Sequence, residues 1–213
     1  MCVQKIRSII NQAEQEEEQG EYLKTWISNT MGNIHQAIEL PNENAVDALT
    51  AFITAYVRHV PEFLNIIQSA ARESGLDKTL WPILHLVENY FTNPPQRRTR
   101  SQGLEKLVDE AYLAHRVFEE LNDQFCRHTG IPLIPVDMTT ANLIVHSIIG
   151  ERFANQLDEL VHISIHSVLD DDEEVFESDG FLNHMDEQEK YWDQGWHHWS
   201  ESFHINRLNI SFL

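Results

Sequence analysis

The stretch from Leu104 to Phe125, LEKLVDEAYLAHRVFEELNDQF, sets Leu104, Leu107, Val108, Ala111, Tyr112, His115, Phe118, Leu121 and Phe125 at steps of three and four. That spacing is one face of an amphipathic helix, and a stripe this long has to be covered by other helices. His115 lies inside the stripe, with Glu119 one turn later. An imidazole there needs a hydrogen-bond partner or a metal ion, because burial without either costs free energy.

The rest of the chain supplies the cover. It has 213 residues but only 8 glycines and 7 prolines, so turns are few and elements are long. Further stripes run through Val3, Ile6, Ile10 and Ala13, through Leu23, Ile27, Ile34 and Ile38, and through Leu49, Phe52, Tyr56, His59, Phe63, Ile67 and Ala70. Two more follow, through Leu80, Leu84, Val87 and Phe91 and through Ile144, Ile148, Phe153, Leu157 and Val161. Gly20, Pro41, Gly75, the Asn93-Pro94-Pro95 run and Gly130 punctuate them. Pro61 falls within a stripe and is expected to kink its helix, while Gly150 suggests close approach of a neighbouring backbone. The acidic run Glu14, Glu16, Glu17, Glu18 reads as a solvated helix face.

These features predict an all-α, single-domain helical bundle of five to seven helices over residues 1–169. Residues 170–213 are expected to form an acidic loop and a Trp-rich C-terminal appendage packed on the bundle. The segment HISIHSV at 162–168 reads equally as continued helix or as one strand of a small C-terminal β-ribbon with FHINRLNISFL.

Charge narrows the function classes. Thirty-four acidic residues against 15 basic ones leave a net charge of −19. That disfavours nucleic acid and anionic membrane surfaces and suits a basic protein partner. No apolar run approaches the roughly 18 residues of a membrane span. Cys2 and Cys126 make no CxxC pair, which fits a reducing, cytoplasmic compartment.

Twelve histidines offer the main chemical signal. His59 with Glu62, His85 with Glu88, His115 with Glu119, and Glu159 with His162 each share a helix face at three or four residues' spacing. Imidazoles and carboxylates facing inward from several helices are how a bundle holds iron or manganese. Glu62, His59, Glu88, His115, Glu119, Glu159 and His162 are therefore the candidate ligands, with non-haem iron or manganese as the implied cofactor. The likeness to ferritin-like or haem-oxygenase-like bundles is one of architecture and not of motif, since only Glu159–His162 has the Glu-x-x-His order. A core histidine satisfied by a carboxylate or carbonyl is the commoner role for His59 and His115. His166 stands one turn after His162 if that segment is helical.

Two other features carry less chemistry. Asp170, Asp171, Asp172, Glu173 and Glu174 lack the glycine of an EF-hand loop and read as solvated. Trp192, Trp196 and Trp199 have helical spacing, which suits either a buried tail helix or partner-binding anchors.

Two functional expectations result. One is an acidic helical-bundle interaction or regulatory protein that meets a basic partner. The other is a metal-dependent oxidoreductase using inward His and Glu ligands. Metal content of the purified protein distinguishes them.

Overall fold

The apolar stripes become the buried sides of helices, except that the one through Leu23 and Ile27 stops being helical at Thr30, which leaves Ile34 outside any helix and Ile38 in a short strand. In the computed structural model, which describes residues 3–94, 102–130, 132–134, 136–169, 176, 182–183 and 211–212, the chain begins with α1 (Val3–Gly20) and α2 (Tyr22–Thr30). The 3-10 turn Met31–Asn33, β1 (Ile38–Glu39), α3 (Ala45–Glu73) and α4 (Asp77–Thr92) follow. A second 3-10 turn, Gly103–Leu107, leads into α5 (Val108–Thr129), then α6 (Thr139–Ile149), α7 (Glu151–Leu169) and β2 (Ser211–Phe212). The protein is an all-α bundle with seven α-helices among the described residues. One continuous hydrophobic cluster extends from Val3 to Phe176.

The stripe on α5 is the centre of that cluster. α5 packs against α3, α4, α6 and α7, and Ala111, Leu113, Ala114, Val117, Phe118, Leu121 and Phe125 are fully buried. α3 is a single 29-residue helix that continues through buried Pro61. It ends as expected, with Gly75 at positive φ and the Leu76 amide returning to the Ala71 carbonyl at 2.7 Å.

Four local expectations are corrected. The central helix begins at Val108, not Leu104, because the preceding turn is tied to α1. Glu16 Oε2 accepts from the Gly103 amide at 3.1 Å and from Lys106 Nζ at 2.6 Å. Glu17 accepts from the Leu23 amide at 2.8 Å and the Leu104 amide at 3.2 Å. Two carboxylates of the supposedly solvated run are therefore a clamp on backbone donors that would otherwise be left at helix starts. Gly103 has φ +59°, and a Cβ there would run into Glu17 Oε2.

Gly150 separates α6 from α7 instead of admitting a close neighbour. Its φ is +95°, outside the helical region, and nothing lies within 4 Å of where a Cβ would stand. Finally, residues 162–168 are the end of α7 and not a strand. The small ribbon pairs β2 with β1, antiparallel, with Ile38 opposite Phe212 and Glu39 opposite Ser211. Repeated burial of Val161, Ile165 and Leu169 at four-residue steps explains why helix prevails there.

Of residues 170–213, the acidic positions 170–174 and Trp192, Trp196 and Trp199 lie outside the described residues. Phe176 is described and buried. It stacks on His128 at 4.2 Å between ring centroids and meets Phe125 edge-on at 5.2 Å, which brings the chain after α7 back onto the end of α5.

Candidate metal centre

The seven residues singled out from the sequence do not converge on one centre. His59 Nδ1 lies 3.3 Å from Glu62 Oε2 on α3, and His85 Nδ1 lies 3.6 Å from Glu88 Oε2 on α4, so each of these pairs forms along its own helix. Glu159 is exposed on α7. A dinuclear site of inward ligands from four helices is therefore not assembled among the described residues.

His115 is fully buried and structural in its contacts. Its Nε2 lies 2.8 Å from the backbone carbonyl of Tyr56, which can only accept, so that nitrogen carries the proton and donates. Nδ1 lies 3.3 Å from Met138 Sδ. The rings of Tyr56, Phe63 and Phe118 surround it at 4.0, 5.5 and 5.7 Å. Burial drives the imidazole's pKa down to about 3, with only a partial offset from the Tyr56 carbonyl, so the ring stays neutral.

Glu119 is taken by a different partner. Arg116 forms an ion pair with Glu119, and its Nε donates to Asp158 Oδ1 at 2.9 Å. Asn142 Nδ2 donates to Glu119 Oε2 at 2.6 Å while its Oδ1 accepts from Tyr56 Oη at 2.5 Å, and Tyr112 Oη donates to Asp158 at 2.9 Å. This polar chain joins α3, α5, α6 and α7 through the core. Burial works against the Arg116 charge, but Glu119 and Asp158 outweigh it and hold the guanidinium above its usual range. Burial and the Asp158 carboxylate likewise raise Tyr112.

His162 is the one predicted ligand that gains the partners a metal needs. Its Nδ1 is 3.6 Å from Glu120 Oε1, and His166 Nε2 is 3.5 Å from the same oxygen. Among the described residues this trio is the one group of three or more His, Cys, Asp or Glu whose ligand atoms lie within 4.8 Å of one another. α7 presents the two imidazoles one turn apart, with ring centroids 4.1 Å from each other, and α5 supplies the carboxylate across the seam. The His162 side chain is 61% exposed and that of Glu120 is 14% exposed, so the group has a buried wall and an open side.

Ligands bound about 2.0–2.2 Å from one ion at tetrahedral angles stand roughly 3.3–3.6 Å apart, which is the spacing seen from Glu120 to each histidine. Burial first, and then the negative charges of Glu119 and Glu120, raise the carboxyl pKa of neighbouring Asp123, with Arg116 and Arg127 opposing the rise. His166 was legible from its spacing to His162, provided the segment is helical. Glu120 had no signal, because the register of α5 against α7 brings it there.

Comparison with known proteins finds no matching family model, no matching curated protein and no matching solved structure. No helix among the described residues is long and apolar enough to cross a membrane.

Proposed function

We propose that this protein is a metalloprotein that binds one divalent transition-metal ion at Glu120, His162 and His166, on the seam between α5 and α7. The observation that supports it is the pair of separations, 3.6 and 3.5 Å, from one carboxylate oxygen to two imidazole nitrogens. Two imidazoles and a carboxylate are a borderline donor set that accepts zinc, cobalt, iron(II) or manganese. This replaces the bundle-core iron centre expected from the sequence with a single ion at a helix seam, and it keeps His162 alone of the expected ligands.

The test is metal content. Chelator-treated protein is dialysed against zinc(II), cobalt(II) or iron(II) and assayed by mass spectrometry of the elements. About one equivalent per chain is expected for the unmodified protein, and a tenfold or greater loss of affinity for His162→Ala and His166→Ala with helical content unchanged. Binding that survives in the double variant sinks the assignment.

The second reading, docking of a basic partner, has an observation of its own. Leu160 and Ile163 flank His162 on α7 with 38% and 58% exposure, in a chain of net charge −19. Salt-sensitive binding of a cationic amphipathic peptide, weakened in Ile163→Asp, is its expected signature, and binding indifferent to Ile163→Asp would argue against it.

A further inference from the structure

The geometry points to Gln124 as the fourth ligand of that ion, an inference that rests on the metal centre proposed above. Gln124 follows Glu120 by one helical turn and is only 1% exposed. Its Nε2 lies 3.1 Å from Glu120 Oε1 and 2.9 Å from His166 Nε2. Its Oε1 accepts from Arg127 at 3.0 Å. Glu120 Oε1 and His166 Nε2 are themselves 3.5 Å apart. These three atoms define a triangular face whose centre is about 2 Å from each corner, the length of a zinc–nitrogen or zinc–oxygen bond. An ion just off that face, on the side of His162, meets Glu120, His162, His166 and the end of the Gln124 side chain.

The amide orientation in the structure follows from its neighbours. Glu120 Oε1 and the His166 nitrogen accept, so the NH2 group faces them, and the carbonyl faces the guanidinium of Arg127. A dication reverses that preference, because two N–H donors aimed at it are repelled and an amide oxygen is a ligand. The side chain is buried and has nowhere else to go. A half-turn about its last torsion, which is broad and nearly two-fold, exchanges nitrogen for oxygen at the same vertex. Arg127 is exposed at the end of α5 and can release the amide without losing its own solvation. The result is a four-coordinate N2O2 centre with its ligands supplied wholly by α5 and α7. Such a closed set ties two helices together just before the chain crosses back to Phe176, and leaves no tetrahedral position for a substrate.

Cobalt(II) is the probe, since its visible absorption reports coordination number. Full-length protein and the variants Gln124→Leu and Gln124→Glu are titrated with cobalt(II) and back-titrated with zinc(II), with circular dichroism to check folding. Gln124→Glu supplies an oxygen without the half-turn and is expected to bind at least tenfold tighter with an intense four-coordinate spectrum. Gln124→Leu is expected to bind at least tenfold more weakly, with the weak absorption of a higher-coordinate, water-filled ion. Equal or tighter binding by Gln124→Leu with an unchanged spectrum would overturn the inference, making Gln124 a plug that the ion displaces, and would leave the three-residue centre standing. If Gln124→Leu fails to fold, Gln124→Glu decides: tighter four-coordinate binding supports the inference, and unchanged or weaker binding overturns it. Absence of cobalt binding in the unmodified protein would instead overturn the centre and the fourth ligand together.

Discussion

Acid should weaken this fold through His115, and the size of the effect can be worked out. The ring is fully buried, donates to the Tyr56 carbonyl and sits among Tyr56, Phe63 and Phe118, with a pKa near 3 in place of the ordinary 6.5. The unfolded chain therefore binds a proton between those values that the folded chain refuses, so stability is full above pH 6.5 and is lost as pH falls through the window toward 3. At 1.36 kcal/mol per pH unit, the loss from pH 8 to pH 5 is about 2 kcal/mol. Substituting His115→Ala costs about 2–4 kcal/mol at pH 8, by opening a cavity and removing the donor to Tyr56. It also removes the titration. Urea unfolding of both proteins at pH 8 and pH 5 should show the stability gap between them shrink by about 2 kcal/mol, the contributions of all other groups being shared. Metal content should be the same in both. A gap that stays constant with pH would refute the argument that the ring is buried and neutral, and loss of bound metal in His115→Ala with an unchanged melting point would assign it to a metal site after all.

Three further outcomes are expected. Gly103→Ala, at φ +59° and against Glu17, should cost about 1–3 kcal/mol by straining the turn and opening the acidic clamp; an effect within about 0.5 kcal/mol in urea unfolding contradicts the clamp. Arg116→Met takes the guanidinium from Glu119 and Asp158, leaving them their Asn142 and Tyr112 donors, and should cost at least about 2 kcal/mol, with partial recovery in the double variant carrying Glu119→Gln; a neutral single variant would show that the two carboxylates do not depend on Arg116. Metal affinity should fall in Glu120→Ala, which removes the carboxylate oxygen that faces both imidazoles; affinity unchanged in that variant would exclude Glu120 as a ligand.

What the sequence determined by itself is the helical class and the inward faces. A run of apolar residues at steps of three and four leaves a helix one way to lie, so the burial of Leu121 or Ile165 follows from local periodicity. The position of His115 in its stripe likewise announced a buried, satisfied ring. Spacing along one helix also showed that His162 and His166 share a face. What only the tertiary structure decided is which polar groups meet across helices. Glu119 and Glu120 are adjacent in the chain, yet the first turns to Arg116 and Asn142 in the core and the second to His162 and His166 at the seam. Successive residues on a helix point about 100° apart, and the docking of α7 on α5 determines which direction finds a partner. The same holds for the clamp, where Glu16 and Glu17 look solvated until the Gly103 turn is brought against them, and for β1, whose partner strand stands far away in the chain. Periodicity is a property of one element, whereas ligation and ion pairing are properties of two, and the register between two helices is written only in the packed structure.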